Sequence, residues 1–301
     1  MGNCFKMEME MKRLFFFGKI LISFIILFVI FQKINYRGFI ETVKNIPIQI
    51  IVSVFIVSLI KHLTQIKNWD MILRLDSDYK LPFKETVKNH FIGAALRLTV
   101  PGGHGIYARV FFLDHKKKSA LGSTVLEKFF QIWICLFSGV SAGLFAFKNI
   151  HLALRISFAV IVGLLPFALL LLSKIKKFSR YKSYSERYSE KFPFIILNQF
   201  IFLSLTVCQY FLLLNSMKSI NFLVVASKIP LILMAATVPV SFSGLGIRES
   251  VGIKLFATEG FKPELFVASA GIVFLFSTVI PAVTGVLFIN QDMKKKKKKE
   301  K

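Results

Sequence analysis

The 301-residue chain is 54% hydrophobic and only 19% charged, with a mean hydropathy of +0.62, which excludes a disordered chain and argues against an ordinary soluble domain. Its 40 Lys and Arg against 16 Asp and Glu leave a net charge of +24. In so apolar a chain this excess sets membrane topology and attracts anionic headgroups, so nucleic acid is not an expected partner.

Residues 1–13 are expected to form a short cytoplasmic N-terminus. The apolar run 14–31 follows Lys12 and Arg13 and is not followed by a small-residue cleavage site, so it reads as an uncleaved signal-anchor helix. Further runs at 46–66, 129–147, 156–172, 192–214 and 265–290 are each long enough to span a bilayer. The helix-like stretch 83–98 carries Lys84, Glu85, Lys88, His90 and Arg97, too many charges for a lipid-facing span.

The basic connection 174–191 and the lysine tail 291–301 should both be cytoplasmic by the positive-inside rule. Three full crossings between them would put the tail outside. The run 229–247 holds Pro230, Pro239, Gly244 and Gly246, the composition of a broken helix, so residues 221–258 are expected to enter and leave by the outer face. The same parity makes the connections 109–118 and 61–88 cytoplasmic and residues 83–107 a second re-entrant hairpin. The expectation is an all-α polytopic integral membrane protein of the cell membrane. It has about six full spans and two re-entrant broken-helix hairpins, with both termini cytoplasmic.

An internal repeat fits this scheme. Thr99-Val100-Pro101 before Gly103-His104-Gly105-Ile106 recurs as Thr237-Val238-Pro239 before Gly244-Leu245-Gly246-Ile247, with Arg109 and Arg248 following. The copies fall in hairpins expected from opposite faces, the arrangement of inverted-repeat transporters.

Arg248 and Glu249, directly after a Gly-rich break, must be paired, solvated or ligand-bound; Arg248 is the leading candidate for an anion. The alternative is an Arg–Glu pair that locks the hairpin. Arg97 and Arg109 bracket the other break and are candidates for the opposite wall of the same site, although Arg109 also suits a positive-inside anchor beside Lys116–Lys118. Pro101, Gly105, Pro239, Gly244 and Gly246 would shape the hairpin backbones. His104, Glu127 and Lys128 are secondary candidates, with a structural role or an interfacial cap as the plainer reading.

Asp70, Asp76, Asp78, Asp114 and His115 lack metal-ligand spacing and read as solvated charge. Cys4, Cys135 and Cys208 are far apart and imply neither a disulfide framework nor a metal site. P-loop, HExxH, GxSxG and paired CxxC motifs are missing from the sequence, so neither catalysis nor a cofactor is expected.

The run Pro239-Val-Ser-Phe-Ser-Gly244-Leu-Gly246-Ile-Arg248-Glu249 resembles the most characteristic motif of the lysylphosphatidylglycerol synthase transmembrane, or flippase-like, family. Pro101, Gly105 and Arg109, followed by Glu127-Lys128, resemble that family's first motif, with Ile106 where Glu is common and Lys128 where Arg is common. The resemblance implies that residues 14–290 form a flippase-like membrane domain. This domain is similar to the N-terminal half of multiple peptide resistance factors, which moves aminoacylated phosphatidylglycerol between leaflets. Synthase activity in that family belongs to a separate cytosolic acyltransferase domain, which this chain is not expected to contain.

Stand-alone relatives are associated with polyprenyl-phosphate sugars, hopanoids and phospholipids. The resemblance thus implies movement of an anionic membrane lipid, with no cofactor. The alternative is a membrane subunit or scaffold for a separately encoded transferase, such as a lysylphosphatidylglycerol synthase or a lipid-linked glycosyltransferase.

Overall fold

A computed structural model describes residues 36–98, 101–146, 149, 151–173, 182–238 and 244–299. The expected run 14–31 lies outside these residues, as do Pro239 and residues 174–181 of the expected 174–191 connection, whose remainder is helical. Every described element is helical, the form that lets a backbone satisfy its own polar groups in lipid. In chain order they are α1 (Tyr36–Lys44), α2 (Ile48–Leu73), α3 (Phe83–Arg97), a 3-10 segment (Pro101–Phe112), α4 (Lys117–Ala146) and α5 (Leu152–Ser173). Then follow α6 (Lys182–Met217), α7 (Phe222–Ala236), α8 (Ile247–Ala257), α9 (Pro263–Phe274), a π turn (Leu275–Val279) and α10 (Ile280–Lys299).

Among the described residues, four stretches are long and apolar enough to cross a membrane: Ile48–Leu73, Lys117–Leu144, Glu186–Met217 and Pro263–Met293. Their outer faces match the solvent they would meet. On α2, for example, Val52, Phe55, Ile56, Leu59, Ile60 and Leu63 are all exposed. The protein is an all-α polytopic membrane protein.

The helix ends follow local chemistry. Glu85 in the first turn of α3 and Arg97 in its last complement the helix dipole. The Asn221 side chain accepts the Leu223 N–H at 2.8 Å and starts α7. At the start of α8, Gly246 sits at φ +86° and the Glu249 carboxylate reaches back to its N–H at 2.6 Å.

The π turn leaves one carbonyl open to a neighbouring helix. Pro281 has no N–H, so the Phe276 carbonyl that a continued i→i−5 ladder would pair with it is left free, and the Ser58 hydroxyl donates to it at 3.0 Å.

The packing is reciprocal. α2 lies against α6, α3 lies along α10, and α7 lies along α4, so the first arm of each broken hairpin packs on the closing helix of the other half. Close approach is secured by glycine in both places. A Cβ on Gly285 would strike the Phe91 carbonyl of α3, and one on Gly139 would strike Met234 of α7.

The core divides in the same way. Trp69, Ile72 and Leu73 at the end of α2 join Phe130, Trp133, Tyr188, Phe192 and Ile195, while Val54 near its start joins Val207, Tyr210, Leu213, Phe256 and Phe266. The start of α2 therefore meets the end of α6 and the reverse, which makes the two helices antiparallel.

Two expected boundaries are corrected. The connection placed at 61–88 is mostly helix: α2 continues to Leu73 and α3 begins at Phe83, leaving a link of residues 74–82. Lys61, Thr64, Gln65 and Asn68 are compatible with a continued span because they face protein rather than lipid. The connection 109–118 likewise shrinks, since the 3-10 segment runs to Phe112 and α4 starts at Lys117. Of the expected interruption of 229–247, residues 239–243 lie outside the described residues; on either side α7 ends at Ala236 and α8 begins at Ile247, after Gly244 and Gly246 at positive φ.

Candidate functional site

One face of α2 carries Ser58, Lys61, Gln65 and Asn68, spaced so that a helix turns all four to the same side, and all four are buried. Lys61, only 4% exposed near the middle of the span, donates from Nζ to Gln209 Oε1 of α6 at 2.5 Å and lies 5.6 Å from the Phe202 ring. Gln209 in turn donates to the Val54 carbonyl at 3.3 Å and stands 3.5 Å from the Ser277 hydroxyl in the π turn.

From α4, Lys128 donates to Gln131 at 2.7 Å, and Gln131 donates to Gln65 Oε1 at 2.9 Å. The amides of Asn68 and Gln199 are fully buried and have no hydrogen-bond partner among the described residues. Groups of this kind hold water or ligand when they persist in an interior.

The two hairpins meet this seam from opposite halves. Arg97 ends α3, and its side chain lies over Gly103, whose φ of +72° turns the chain into the 3-10 segment. Gly244 takes the corresponding left-handed conformation, φ +79°, before α8 and Arg248. The charge of Arg97 reaches Glu127 and Arg248, that of Arg248 reaches Lys61, and that of Lys128 reaches Arg97, Arg109 and Glu127. Five basic groups from α2, α3, the 3-10 segment, α4 and α8 thus form one electrostatic cluster. Arg97 is exposed and Arg248 partly so, which leaves the cluster an open side.

The structure separates the expected site residues into two kinds. Arg109 is 1% exposed and forms an ion pair with the equally buried Glu127. Its guanidinium stacks 3.5 Å from the Trp69 ring, and its carbonyl accepts from Asn89 at 2.9 Å. Gly93 leaves the room it needs, since a Cβ there would come within 2.9 Å of Arg109 Cδ. Arg109 and Glu127 are therefore a strut joining the 3-10 segment to α4, and Arg109 does not present its charge to an opening.

Arg248 packs 5.6 Å from the Phe274 ring and reaches Glu249 Oε1 at 3.3 Å, while the other Glu249 oxygen caps α8. His104 is exposed beside Tyr107. Gly105 and Gly246 are buried in the two breaks; Pro101 begins the 3-10 segment.

Sequence reasoning missed Lys61, Gln209 and a half-buried histidine pair, His62 Nδ1 and His90 Nε2 at 3.3 Å. The signal for Lys61 was the three- and four-residue spacing of polar groups within an apolar run. The aspartates near the α2–α3 link are structural: Asp70 accepts from Arg74 and Thr86, Asp76 from His115 and Ser119, and Asp78 from Lys116. They gather into no metal-binding group among the described residues.

A comparison with curated proteins finds no match. The model of the family described as lysylphosphatidylglycerol synthase TM region matches residues 16–285, nearly the full length, and the chain belongs to that family.

Proposed function

We propose that this protein is a transporter that moves an anionic lipid between the leaflets of the cell membrane. The observation that supports this reading is the basic cluster of Lys61, Arg97, Lys128 and Arg248, drawn from α2, α4 and both broken hairpins. Charge in a membrane interior is costly unless a counter-charge or water relieves it, and a guanidinium offers a phosphate group paired donors. In this reading Arg97 and Arg248 contact the headgroup from the two hairpins and Lys61 and Lys128 complete the field, while the acyl chains remain in lipid.

Arg109, Glu127 and Glu249 hold the hairpins in place. The reciprocal, antiparallel packing supports an inverted repeat, and rocking of one half against the other would expose the headgroup to each face in turn. Re-entry of residues 83–107 and 221–258 from opposite faces and cytoplasmic termini belong to the same proposal.

The test is translocation of head-labelled phosphatidylglycerol in proteoliposomes, with a zwitterionic lipid as control. The native chain should move the anionic lipid, and Arg248→Ala should slow it at least about tenfold, the loss of one charge-assisted contact of about 1.5–3 kcal/mol. Background rates for the native chain with every anionic lipid offered would overturn the transport reading in favour of a transferase subunit or scaffold.

A further inference from the structure

Three uncharged side chains of the α2–α6 seam have no part in the headgroup contacts described so far. Gln65 and Asn68 lie three residues apart on the polar face of α2, a spacing that makes side chains neighbours on a helix. Gln65 is 6% exposed, and Asn68 and Gln199 of α6 are fully buried. Two contacts fix how the helices align: Gln209 donates to the Val54 carbonyl at 3.3 Å, and Lys61 lies 5.6 Å from the Phe202 ring. The two helices are antiparallel, so the step forward from Val54 to Lys61 matches the equal step back from Gln209 to Phe202, and a further three residues bring Thr64 level with Gln199. Gln199 therefore stands beside Gln65 and within about one helical turn of Asn68. Ile195, the next residue of α6 on this face, joins Trp69 in the core, as this alignment requires.

The three amides are not saturated. Gln131 of α4 occupies Gln65 Oε1, but Gln65 Nε2 and both polar atoms of Asn68 and of Gln199 have no partner among the described residues. Leaving such atoms unmet in an interior is costly, so they mark a place that something fills. The mixture of atoms says what fills it. A phosphate oxygen only accepts and would leave Asn68 Oδ1 and Gln199 Oε1 unmet, whereas an ammonium only donates and would leave the amide nitrogens unmet. A hydroxyl does both. The place also adjoins the basic cluster: Lys61 precedes Gln65 by one helical turn on the same face, and Lys128 reaches Gln65 through Gln131.

We infer that Gln65, Asn68 and Gln199 form a subsite for the hydroxyl groups of the headgroup, so that the lipid this protein selects ends in an uncharged polyol such as a glycerol or a cyclitol. The inference rests on the transport reading and adds a specificity site to it. The arginines of the two hairpins take the phosphate, and the amides of α2 and α6 take the hydroxyls beyond it.

The test compares phosphatidylglycerol and phosphatidylinositol with phosphatidylpropanol, a phosphodiester of the same charge whose headgroup has no hydroxyl. The full chain is used in zwitterionic nanodiscs for binding and in proteoliposomes for movement. At least one of the hydroxylated lipids should bind about fivefold or more tightly than phosphatidylpropanol, the worth of one or more net hydrogen bonds. Asn68→Leu and Gln199→Leu should each bring that ratio toward one while leaving phosphatidylpropanol binding unchanged, because the arginines are untouched. Replacing an unpaired buried amide by an apolar group of similar volume is tolerated in an interior, and two variants on separate helices guard against the misfolding of either.

Equal binding of the three lipids, or a preference that survives in both variants, overturns the inference and leaves transport standing; the amides then hold buried water. A preference that both variants abolish, without movement of any lipid, upholds the inference and sinks transport. Free glycerol 3-phosphate serves as a competitor to identify the source of the hydroxyls. Displacement of the preferred lipid shows that the polyol phosphate alone is recognised; no displacement shows that the lipid is required.

Discussion

Two arginines bracket the first helix break within twelve positions, and the structure uses them oppositely. Arg109 is enclosed by Glu127, Trp69 and Asn89, whereas Arg97 remains exposed. Breaking a buried ion pair from one side leaves an uncompensated charge, at a cost of about 3–5 kcal/mol. Glu127→Gln should therefore lower the thermal unfolding midpoint in detergent by several degrees and reduce the yield of folded protein. Arg97→Gln, at a site with no ion pair among the described residues, should unfold like the native chain while losing lipid movement. A Glu127→Gln protein as heat-stable as the native one would refute the strut.

At the scale of elements, the short link between α2 and α3 is tied to the start of α4. Asp76 accepts from His115 Nε2 at 3.0 Å, from the Ser119 hydroxyl and from the Asp78 N–H at 3.0 Å, and Lys116 meets Asp78 at 2.5 Å. Partial burial opposes ionisation of Asp76, but the bonds from Ser119, the Asp78 N–H and His115 outweigh it and hold its pKa below the ordinary carboxylate value.

Because the folded value lies below the unfolded one, about 3.9, the stabilisation is complete above pH 5 and is lost as the pH falls through the folded value. The native chain should lose unfolding temperature more steeply than Asp76→Asn between pH 5 and pH 3, and the two curves should converge at the acid end. Parallel curves would show that Asp76 contributes nothing to the tie.

For the whole molecule, the reciprocal packing of α3 on α10 and α7 on α4 couples the two hairpins to opposite halves, so a shift between halves moves Arg97 relative to Arg248. Such a motion requires defined sidedness. In a cysteine-free background, single cysteines at Asn149 and Ser183, on either side of α5, should label from opposite faces with a membrane-impermeant maleimide, Ser183 from the cytoplasm. Labelling of both from one face would remove the topology on which the rocking motion depends.

Composition alone determined that the chain is a polytopic helical membrane protein, because a mean hydropathy of +0.62 leaves few other ways to satisfy so many apolar side chains. The two breaks were legible as well, since Pro and Gly interrupt a helix by local stereochemistry that needs no partner. Arg97, Arg248 and Glu249 stood out because charge beside an apolar break demands an explanation.

Tertiary structure decided what each charge is for. Arg109 and Arg97 look alike in sequence, and only the placement of Trp69, Glu127 and Gly93 makes one a buried strut. Lys61 appeared to begin a cytoplasmic connection, because a lysine near the end of a hydropathy window marks a boundary unless a neighbouring helix supplies a partner. Gln209, 148 residues away, is that partner. The spacing of Ser58, Lys61, Gln65 and Asn68 marks a polar face but does not name its partners, which is why the basic cluster becomes visible only when α2, α3, α4 and α8 are brought together.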